Sequence, residues 1–168
     1  KLYTMLIQIK KSTILCFKNY KFKCVIGKKG IKKNKIEGDK ATPKGTYSLG
    51  KLYFRADRIK SIKTKLPLKI IKKNMGWCHL PNDKKYNKEI KIKNNNNTFE
   101  KLYRHDHKYD ALIVINYNVS PTLFNKGSAI FIHLTRNYKP TAGCIALKLK
   151  DFLVLAKFCN KKTKIRIN

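Results

Sequence analysis

The sequence is poor in acidic residues and has no long apolar run. Its 168 residues include 9 aspartates and glutamates against 40 lysines and arginines, a formal net charge of +31. No uninterrupted apolar stretch, residues 111–115 and 129–132 included, comes near the roughly 18 apolar residues that a membrane-spanning helix needs. Residues 2–9 are interrupted by polar side chains and lack a small-residue cleavage site. We therefore expect a water-soluble domain without a recognisable export signal in this sequence.

Metal-ligand patterns are also missing. Cys16, Cys24, Cys78 and Cys159 show no CxxC spacing, and the four histidines do not complete any of the usual zinc-binding sets. Residues 105–107 contain two histidines and an aspartate, but they lie among charged residues, which is typical of a solvated loop. Because the five cysteines are an odd number, at least one thiol is unpaired in the monomer. We predict neither a metal site nor a cofactor.

The positive charge favours partners that carry negative charge. Nucleic acid is one such partner, because lysines that neutralise phosphates release counterions. Only five of the basic residues are arginines, however, and the lysines are spread along the whole chain. Base and phosphate recognition is best served by the planar fork of arginine. We therefore predict no specific nucleic-acid site and interpret the charge as a general attraction to anionic polymers or membrane surfaces.

Short apolar stretches alternate with lysines and turn residues through the first half of the chain. Residues 22–26, 47–52 and 68–71 have the composition of short strands. Residues 111–116 and 129–134 are continuous aliphatic runs, which is typical of central strands covered on both faces. A hydrophobic content of 42% is enough for one core in a chain of this length. We therefore expect one mainly β domain that includes the whole chain.

The remaining segments predict one helix, several turns and a loop. Apolar residues recur at helical spacing from residue 152 to residue 159, and residues 163–167 alternate as a strand does. Glycines at residues 27–30 and 38–45 predict tight turns, and the Thr-Pro pair in the second segment is either a structural turn or a substrate contact. Residues 81–98 are polar and rich in lysine and asparagine, so we expect a long loop there.

His133 and Cys144 are the pair best suited to nucleophilic catalysis. A nucleophilic cysteine needs a base within hydrogen-bond reach, a setting that favours the thiolate, and backbone amides aimed at the oxyanion. His133 lies near the end of a predicted buried strand, and a link containing a proline and a glycine can turn Cys144 toward it. The amides of Ala142, Gly143 and Cys144 would then form the oxyanion hole. From these residues alone, a buried small cysteine and a core histidine remain an open alternative.

Two strings frame this pair, GSAIFIHL at residues 127–134 and PTAGCIAL at residues 140–147. Further motifs precede them, at residues 37–47, 53–58, 76–78, 86–87 and 103–110. Together these motifs resemble the YkuD-like L,D-transpeptidase catalytic domain, in a branch with a short link between the histidine and the cysteine. Because several separate motifs occur in the right order, the resemblance is more specific than any one of them.

The resemblance implies a fold and a reaction. The implied fold is a β-rich sandwich or barrel with one C-terminal amphipathic helix and short additional helices. The implied reaction is a cysteine acyl transfer on peptidoglycan stem peptides, in which the carbonyl of an L-residue is attacked, a terminal D-amino acid leaves, and an amine accepts the acyl group. Carried over to this chain, Cys144 is the nucleophile and His133 is the base. No carboxylate lies near them in sequence, so we expect a backbone carbonyl to orient the imidazole.

The chain departs from the common family pattern at two positions. Thr141 is kept, but Ala142 replaces a histidine, and Ala146 replaces the arginine or asparagine that commonly follows the cysteine. We expect the hydroxyl of Thr141 at the rim of the substrate site. Arg136 is our candidate for the missing cation that holds a substrate carboxylate, with an exposed surface arginine as the alternative.

Three functions remain open at this point. The first is a transpeptidase that cross-links peptidoglycan, and the second is a hydrolase on the same scaffold, in which water replaces the acceptor amine. The third is a non-catalytic binder of anionic polymers, whose binding would fall steeply with salt and would not depend on Cys144. A peptidoglycan substrate implies the bacterial cell envelope or periplasm as the place of action.

Overall fold

The computed structural model describes residues 5–93 and 99–168, and most of their regular structure is β. The strands, in chain order, are β1 (Leu6–Lys10), β2 (Ile14–Phe17), β3 (Tyr20–Lys23), β4 (Ile31–Lys32), β5 (Thr42–Pro43), β6 (Gly45–Phe54), β7 (Leu68–Ile70), β8 (Met75–Cys78), β9 (Glu89–Lys91), β10 (Phe99–Lys101), β11 (Ala111–Ile115), β12 (Phe131–Leu134), β13 (Ile145–Leu147) and β14 (Lys164–Ile167). The one helix of the described residues is α1 (Leu149–Phe158).

Nine strands form the main sheet. Eight of them follow the order β13-β12-β11-β6-β14-β1-β2-β3, and β7 pairs with β6 beside this path. β12 and β13 are parallel, as are β1 and β14, whereas β11 pairs antiparallel with both β6 and β12. β14 therefore joins the N-terminal strands β1–β3 to the rest of the sheet, because it lies between β6 and β1.

The two ends of the main sheet approach each other, so the sheet is a nearly closed barrel. Val25, just after β3, exchanges backbone hydrogen bonds of 3.1 and 2.9 Å with Ala146 of β13. Lys28 N–H donates to the carbonyl oxygen of Thr141 at 2.9 Å, and Thr141 N–H donates to the carbonyl oxygen of Ile26 at 3.0 Å. This seam contacts the chain on both sides of residue 144. Closure of the barrel therefore also fixes the loop that carries the cysteine.

Two hydrophobic clusters cover the two faces of the central strands. In β11, Ala111, Ile113 and Ile115 belong to one cluster, and Leu112 and Val114 belong to the other. The first, which we call the barrel core, includes Ile7, Leu15, Leu52, Ile132, Phe152 and Ile165. The second, the aromatic core, includes Tyr53, Trp77, Leu102, Tyr109, Phe131 and Cys144. The prediction that residues 111–116 and 129–134 form strands covered on both faces is confirmed in β11 and β12.

The C-terminal amphipathic helix is also confirmed. α1 buries Phe152, Leu155 and Ala156, and it has Asp151 in its first turn and Lys157 in its last, which suits the helix dipole. The expected short additional helices do not form within residues 5–93 and 99–168. In the same part of the chain, no helix is long and apolar enough to cross a membrane. The predicted C-terminal strand is β14.

A small second sheet corrects the predicted long loop. β8 lies between β9 and β10 in an antiparallel three-stranded sheet, so residues 89–91 are a strand and the loop prediction is wrong there. β9 was missed because three residues within a lysine-rich segment are too few to show a period of two. Residues 94–98 of the predicted loop lie outside the described residues. The tight turn predicted at the Thr-Pro pair is wrong, because the pair forms β5 beside β4 and the turn lies at residues 37–39. The expectation that this segment leads into a strand is confirmed by β6.

Candidate active site

His133 and Cys144 line one cavity of about 580 Å³. His133 is in β12, and Cys144 immediately precedes β13, which runs parallel to β12. The register pairs Ile132 with Ile145 and His133 with Ala146, so Cys144 and Ala146 point to the same face as His133. Ala146 lines the same cavity, in agreement with that register. The structure therefore brings the two predicted catalytic residues to one face of the sheet.

The thiol of Cys144 is held by two backbone groups. It donates to the carbonyl oxygen of Ala129 at 3.2 Å and accepts the N–H of Phe131 at 3.3 Å. Cys144 is 8% exposed, and burial together with the nearby carboxylate of Glu100 raises the pKa of the thiol to about 12. The sulfur is therefore a neutral thiol at physiological pH, and a proton must leave it before it can act as a nucleophile.

The imidazole of His133 is held in one tautomer. Its Nδ1 lies 3.0 Å from the carbonyl oxygen of Leu134, and because a carbonyl only accepts, Nδ1 carries the proton. The expectation that a backbone carbonyl orients the ring is confirmed. Burial lowers the pKa of His133 to about 4, so Nε2 has a free lone pair at neutral pH. Between His133 and Cys144, both described residues, no hydrogen bond is formed in this structure.

The loop before the cysteine requires glycine at residue 143. Gly143 has a φ of +141°, and a Cβ there would lie 2.8 Å from the carbonyl oxygen of Ala41. The fully buried Thr42 donates its hydroxyl to the carbonyl oxygen of Gly143 at 2.8 Å and accepts the N–H of Gly27 at the same distance. Thr42 therefore clamps the cysteine loop to the barrel seam. Of the two interpretations of the Thr-Pro pair, the structural one fits these contacts.

The predicted oxyanion hole is partly occupied by the chain itself. The N–H of Gly143 donates to the hydroxyl of Thr141 at 3.1 Å, and that hydroxyl donates to the carbonyl oxygen of Cys144 at 2.5 Å. Thr141 thus lines the cavity while its hydroxyl closes the turn. The N–H groups of Ala142 and Cys144 have no hydrogen-bond partner among the described residues, and both residues line the cavity. Of the three predicted amides, those of Ala142 and Cys144 are therefore the ones free to receive an oxyanion.

Asn87 positions the segment that holds the thiol, and sequence analysis assigned it no role. Its side-chain oxygen accepts Trp77 Nε1–H and the N–H of Ala129, both at 3.0 Å. Its amide nitrogen donates to the carbonyl oxygens of Tyr117 and Asn118 at 2.9 and 2.8 Å. Ala129 is the residue whose carbonyl accepts the thiol. The φ of Asn87 is 56°, a positive value that asparagine tolerates well. The Tyr-Asn pair at residues 86–87 was the sequence signal that could have indicated its role.

A tyrosine and a carboxylate border His133 and Cys144, the predicted catalytic pair. Tyr109 packs edge-on against the ring of His133 with centroids 5.3 Å apart, and its hydroxyl donates to Glu100. Both Tyr109 and Glu100 line the cavity. The carboxylate adds to the effect of burial in raising the pKa of Cys144 and that of Tyr109. Neither residue was predicted, because β10 and the loop after it contribute them from a distant part of the sequence.

The cavity is cationic, but its cations are different from the predicted one. Arg136 is exposed and borders a separate depression with His107, Asp110 and Lys148, so the structure does not bring it to Cys144. The basic side chains that line the cavity are Lys35, Lys40, Arg104, Lys108 and Lys139. They face the acidic residues Glu37 and Glu100 in the same cavity.

The other cysteines and histidines form no second centre. All five cysteines are free thiols, and burial raises the pKa of Cys24 and of Cys159 to about 12. In residues 5–93 and 99–168, no group of three or more histidine, cysteine or acidic side chains is arranged to hold a metal ion. In the loop at residues 105–107, Asp106 pairs with Arg104 at 2.6 Å.

A comparison with known protein families agrees with the fold and with the family resemblance. The family described as the L,D-transpeptidase catalytic domain, YkuD, matches residues 4–167, nearly the whole chain. Its members act on peptidoglycan stem peptides. A search of curated proteins found no match to this chain. The mainly β barrel with one helix near the C-terminus is the architecture expected of that family. On the length of this match, the chain belongs to the YkuD family of L,D-transpeptidase catalytic domains.

Proposed function

We propose that this chain is a peptidoglycan L,D-transpeptidase that forms an acyl-enzyme on Cys144. One observation carries the proposal: a neutral imidazole with Nδ1 fixed by Leu134 faces the same cavity as the thiol of Cys144. The free lone pair on Nε2 is then available to the thiol proton. The family match supports the same chemistry on stem peptides. We propose the cell envelope as the place of action, because peptidoglycan lies there.

Acylation begins from two neutral partners. Because the pKa of Cys144 is raised and that of His133 is lowered, a preformed thiolate and imidazolium pair is disfavoured. The thiol turns from the carbonyl of Ala129 toward His133, and Nε2 takes its proton as Sγ adds to the peptide carbonyl carbon. The oxyanion receives the N–H of Cys144. When the tetrahedral intermediate collapses, His133 returns the proton to the leaving amine.

Transfer to an acceptor completes the cycle. The acceptor amine attacks the thioester carbon, His133 takes one proton from the nitrogen, and the carbon–sulfur bond breaks as the thiol regains its proton. Water in place of the amine gives a shortened peptide by the same route. The acyl-enzyme is common to both outcomes, so the acceptor decides between transfer and hydrolysis.

The test is incubation with muropeptides, with and without an amine acceptor, followed by mass spectrometry. We expect a product that contains the acceptor. Cys144→Ala should abolish acyl-enzyme and product, and His133→Ala should lower the rate by about 10²–10⁴-fold. Cys16→Ala is the matched control, because it removes a half-buried thiol in β2 and should leave the rate unchanged.

Each alternative has its own outcome in this experiment. Only shortened peptide would indicate a hydrolase on the same scaffold. Full activity of Cys144→Ala or of His133→Ala would contradict the proposed mechanism. Binding of anionic polymer that falls with salt and is equal in wild type and Cys144→Ala, without any peptide product, would favour the non-catalytic binder.

A further inference from the structure

Lys35 is a lysine buried in the wall of the Cys144 cavity. Its side chain is 3% exposed, although lysines are rarely buried unless they are paired. Nζ donates to Asp39 Oδ1 at 2.7 Å. The carboxylate of Asp39 also accepts the N–H groups of Ile36 and Ala41 at 3.0 and 2.9 Å. Asp39 is therefore fixed by the backbone, and it fixes the ammonium in turn.

Gly127 makes room for this lysine. It has a φ of +105°, and a Cβ on it would lie 2.8 Å from Lys35 Cε. The stem of Lys35 thus lies against the backbone of Gly127, directly before Ser128. Lys35 and Ser128 both line the cavity that contains Cys144. The fold therefore places an ammonium group and a hydroxyl group on neighbouring parts of one wall.

Both groups have unused hydrogen-bonding capacity. An ammonium has three donors, and Lys35 has no partner beyond Asp39 among the described residues. The hydroxyl oxygen of Ser128 is buried without a partner in the described part of the chain, in a residue that is 8% exposed. Buried polar groups nearly always have partners. A cation and a hydroxyl together fit an anionic ligand with two oxygens, namely a carboxylate.

The position of Ser128 indicates which carboxylate. Ser128 precedes Ala129, whose carbonyl oxygen holds the thiol of Cys144 at 3.2 Å, so the unpartnered hydroxyl lies one residue from the group that holds the sulfur. In a peptide attacked at its last amide bond, the C-terminal carboxylate is separated from the scissile carbonyl only by one nitrogen and one α-carbon. We propose that Lys35 and Ser128 bind the free carboxylate of a single amino acid that leaves when Cys144 is acylated. This inference rests on the proposed function.

The kinetic test uses two donor peptides that differ only in their last residue, which ends in a carboxylate or in a carboxamide. We expect wild-type kcat/KM to favour the carboxylate peptide by about 100-fold. Lys35→Met and Ser128→Ala should each lower kcat/KM for the carboxylate peptide by about tenfold or more and leave the carboxamide peptide unchanged. Lys32→Met is the matched control, because Lys32 is exposed in β4 and lies outside the cavity.

Lys35→Met leaves the carboxylate of Asp39 without its cation, so the double variant Lys35→Met/Asp39→Asn is included. A circular dichroism spectrum and a melting curve identify any variant that does not fold. Ser128→Ala removes one oxygen and keeps the backbone, and it provides the same comparison if the lysine variants are unstable. Equal kcat/KM for the two peptides in wild type would overturn the proposal. So would variants that lower both values equally.

A binding measurement separates this proposal from the proposed function. Cys144→Ala is titrated with each of the two peptides by isothermal calorimetry. We expect the carboxylate peptide to bind at least about tenfold more tightly, and Lys35→Met or Ser128→Ala in that background to abolish the difference. Equal affinity for the carboxylate and the carboxamide peptide would contradict the carboxylate site, even if the wild-type protein converts the peptide to product. A clear difference without any turnover supports the carboxylate site and contradicts the proposed function.

Discussion

The barrel core and the aromatic core cover opposite faces of the same strands, yet their side chains differ in kind. The barrel core is mostly aliphatic, with members such as Leu15, Leu52 and Ile113 that have no polar atoms. The tyrosine and tryptophan rings of the aromatic core have polar groups, and these groups form hydrogen bonds. Trp77 donates to Asn87, and Tyr109 donates to Glu100. The named side chains of the barrel core contribute by packing alone, whereas those of the aromatic core pack and also form hydrogen bonds.

This difference separates stability from catalysis. Phe131 of the aromatic core packs edge-on against Trp77 and Tyr109, with ring centroids 5.1 and 5.7 Å apart, and its own N–H donates to the thiol of Cys144. A shift in these rings therefore moves the sulfur or the imidazole. Changes in the barrel core should act on the free energy of unfolding. Changes in the aromatic core should act on the rate as well.

The largest expected effect on stability is in the barrel core. Phe152 of α1 is fully buried, so Phe152→Ala should lower the free energy of unfolding by about 3–5 kcal/mol. The value of kcat/KM per folded molecule should not change. Urea unfolding and turnover normalised to folded protein measure the two effects. Leu149→Ala, at a 43% exposed position of the same helix, should stay within about 0.5 kcal/mol. A lower kcat/KM in folded Phe152→Ala would contradict the expectation that the barrel core affects only the free energy of unfolding.

Acid should act first on His133, whose ring packs against Tyr109 of the aromatic core. The pKa of His133 is lowered from 6.5 to about 4, so the unfolded chain binds more protons between these values and stability falls as pH falls through this window. The expected loss is about 3 kcal/mol, most of it before the aspartates with lowered pKa are protonated. Thermal melts from pH 7.5 to pH 4 measure it, in wild type and in His133→Gln. The same loss in His133→Gln would assign the effect to other groups.

Asn87 tests whether the hydrogen bond that holds the backbone of Ala129 matters to the reaction. Asn87→Gly keeps the positive φ and removes four hydrogen bonds, so we expect a stability loss of about 2 kcal/mol and a fall in kcat/KM of tenfold or more. Asn125→Gly is matched to it, because Asn125 has a φ of 55° and its side chain makes no hydrogen bond to the described residues. Unchanged kcat/KM in folded Asn87→Gly would show that the reaction does not need the hydrogen bond between Asn87 and Ala129.

The smallest effect is expected at Trp77. Trp77→Phe keeps a ring beside Phe131 and loses one hydrogen bond to Asn87, so the free energy of unfolding should fall by about 1 kcal/mol. The rate should fall only a few-fold, because Asn87 keeps its bond to Ala129. Urea unfolding and turnover of the same donor peptide give both numbers. A rate loss as large as that of Asn87→Gly would show that the indole N–H of Trp77 is needed to position the side chain of Asn87.

Local patterns in the sequence predicted the parts of the fold that rest on local chemistry. Aliphatic runs predicted β11 and β12, and helical spacing predicted α1. The pairing of His133 with Cys144 followed from a strand, a turn and a family resemblance, and it stays a proposal for catalysis. β9 was not predictable, because a three-residue strand carries no period.

The rest of the site depends on contacts between distant segments. Asn87 meets Ala129 across 42 positions, and Lys35 meets the backbone of Gly127 from a loop before β5. No periodicity records such contacts. Arg136 is near Cys144 in sequence yet outside its cavity, because the chain after β12 turns to a separate depression. Arg104 and Lys108 reach the cavity from the loop before β11.

The place of β14 in the sheet sets the order in which the barrel can be assembled. β14 is the C-terminal strand of the sheet, and it lies between β6 and β1. During synthesis on the ribosome, β1–β3 therefore has no edge of β6 to join until residue 167 has emerged. A nascent chain that ends before β14 therefore lacks the strand that joins β1–β3 to β6 by backbone hydrogen bonds.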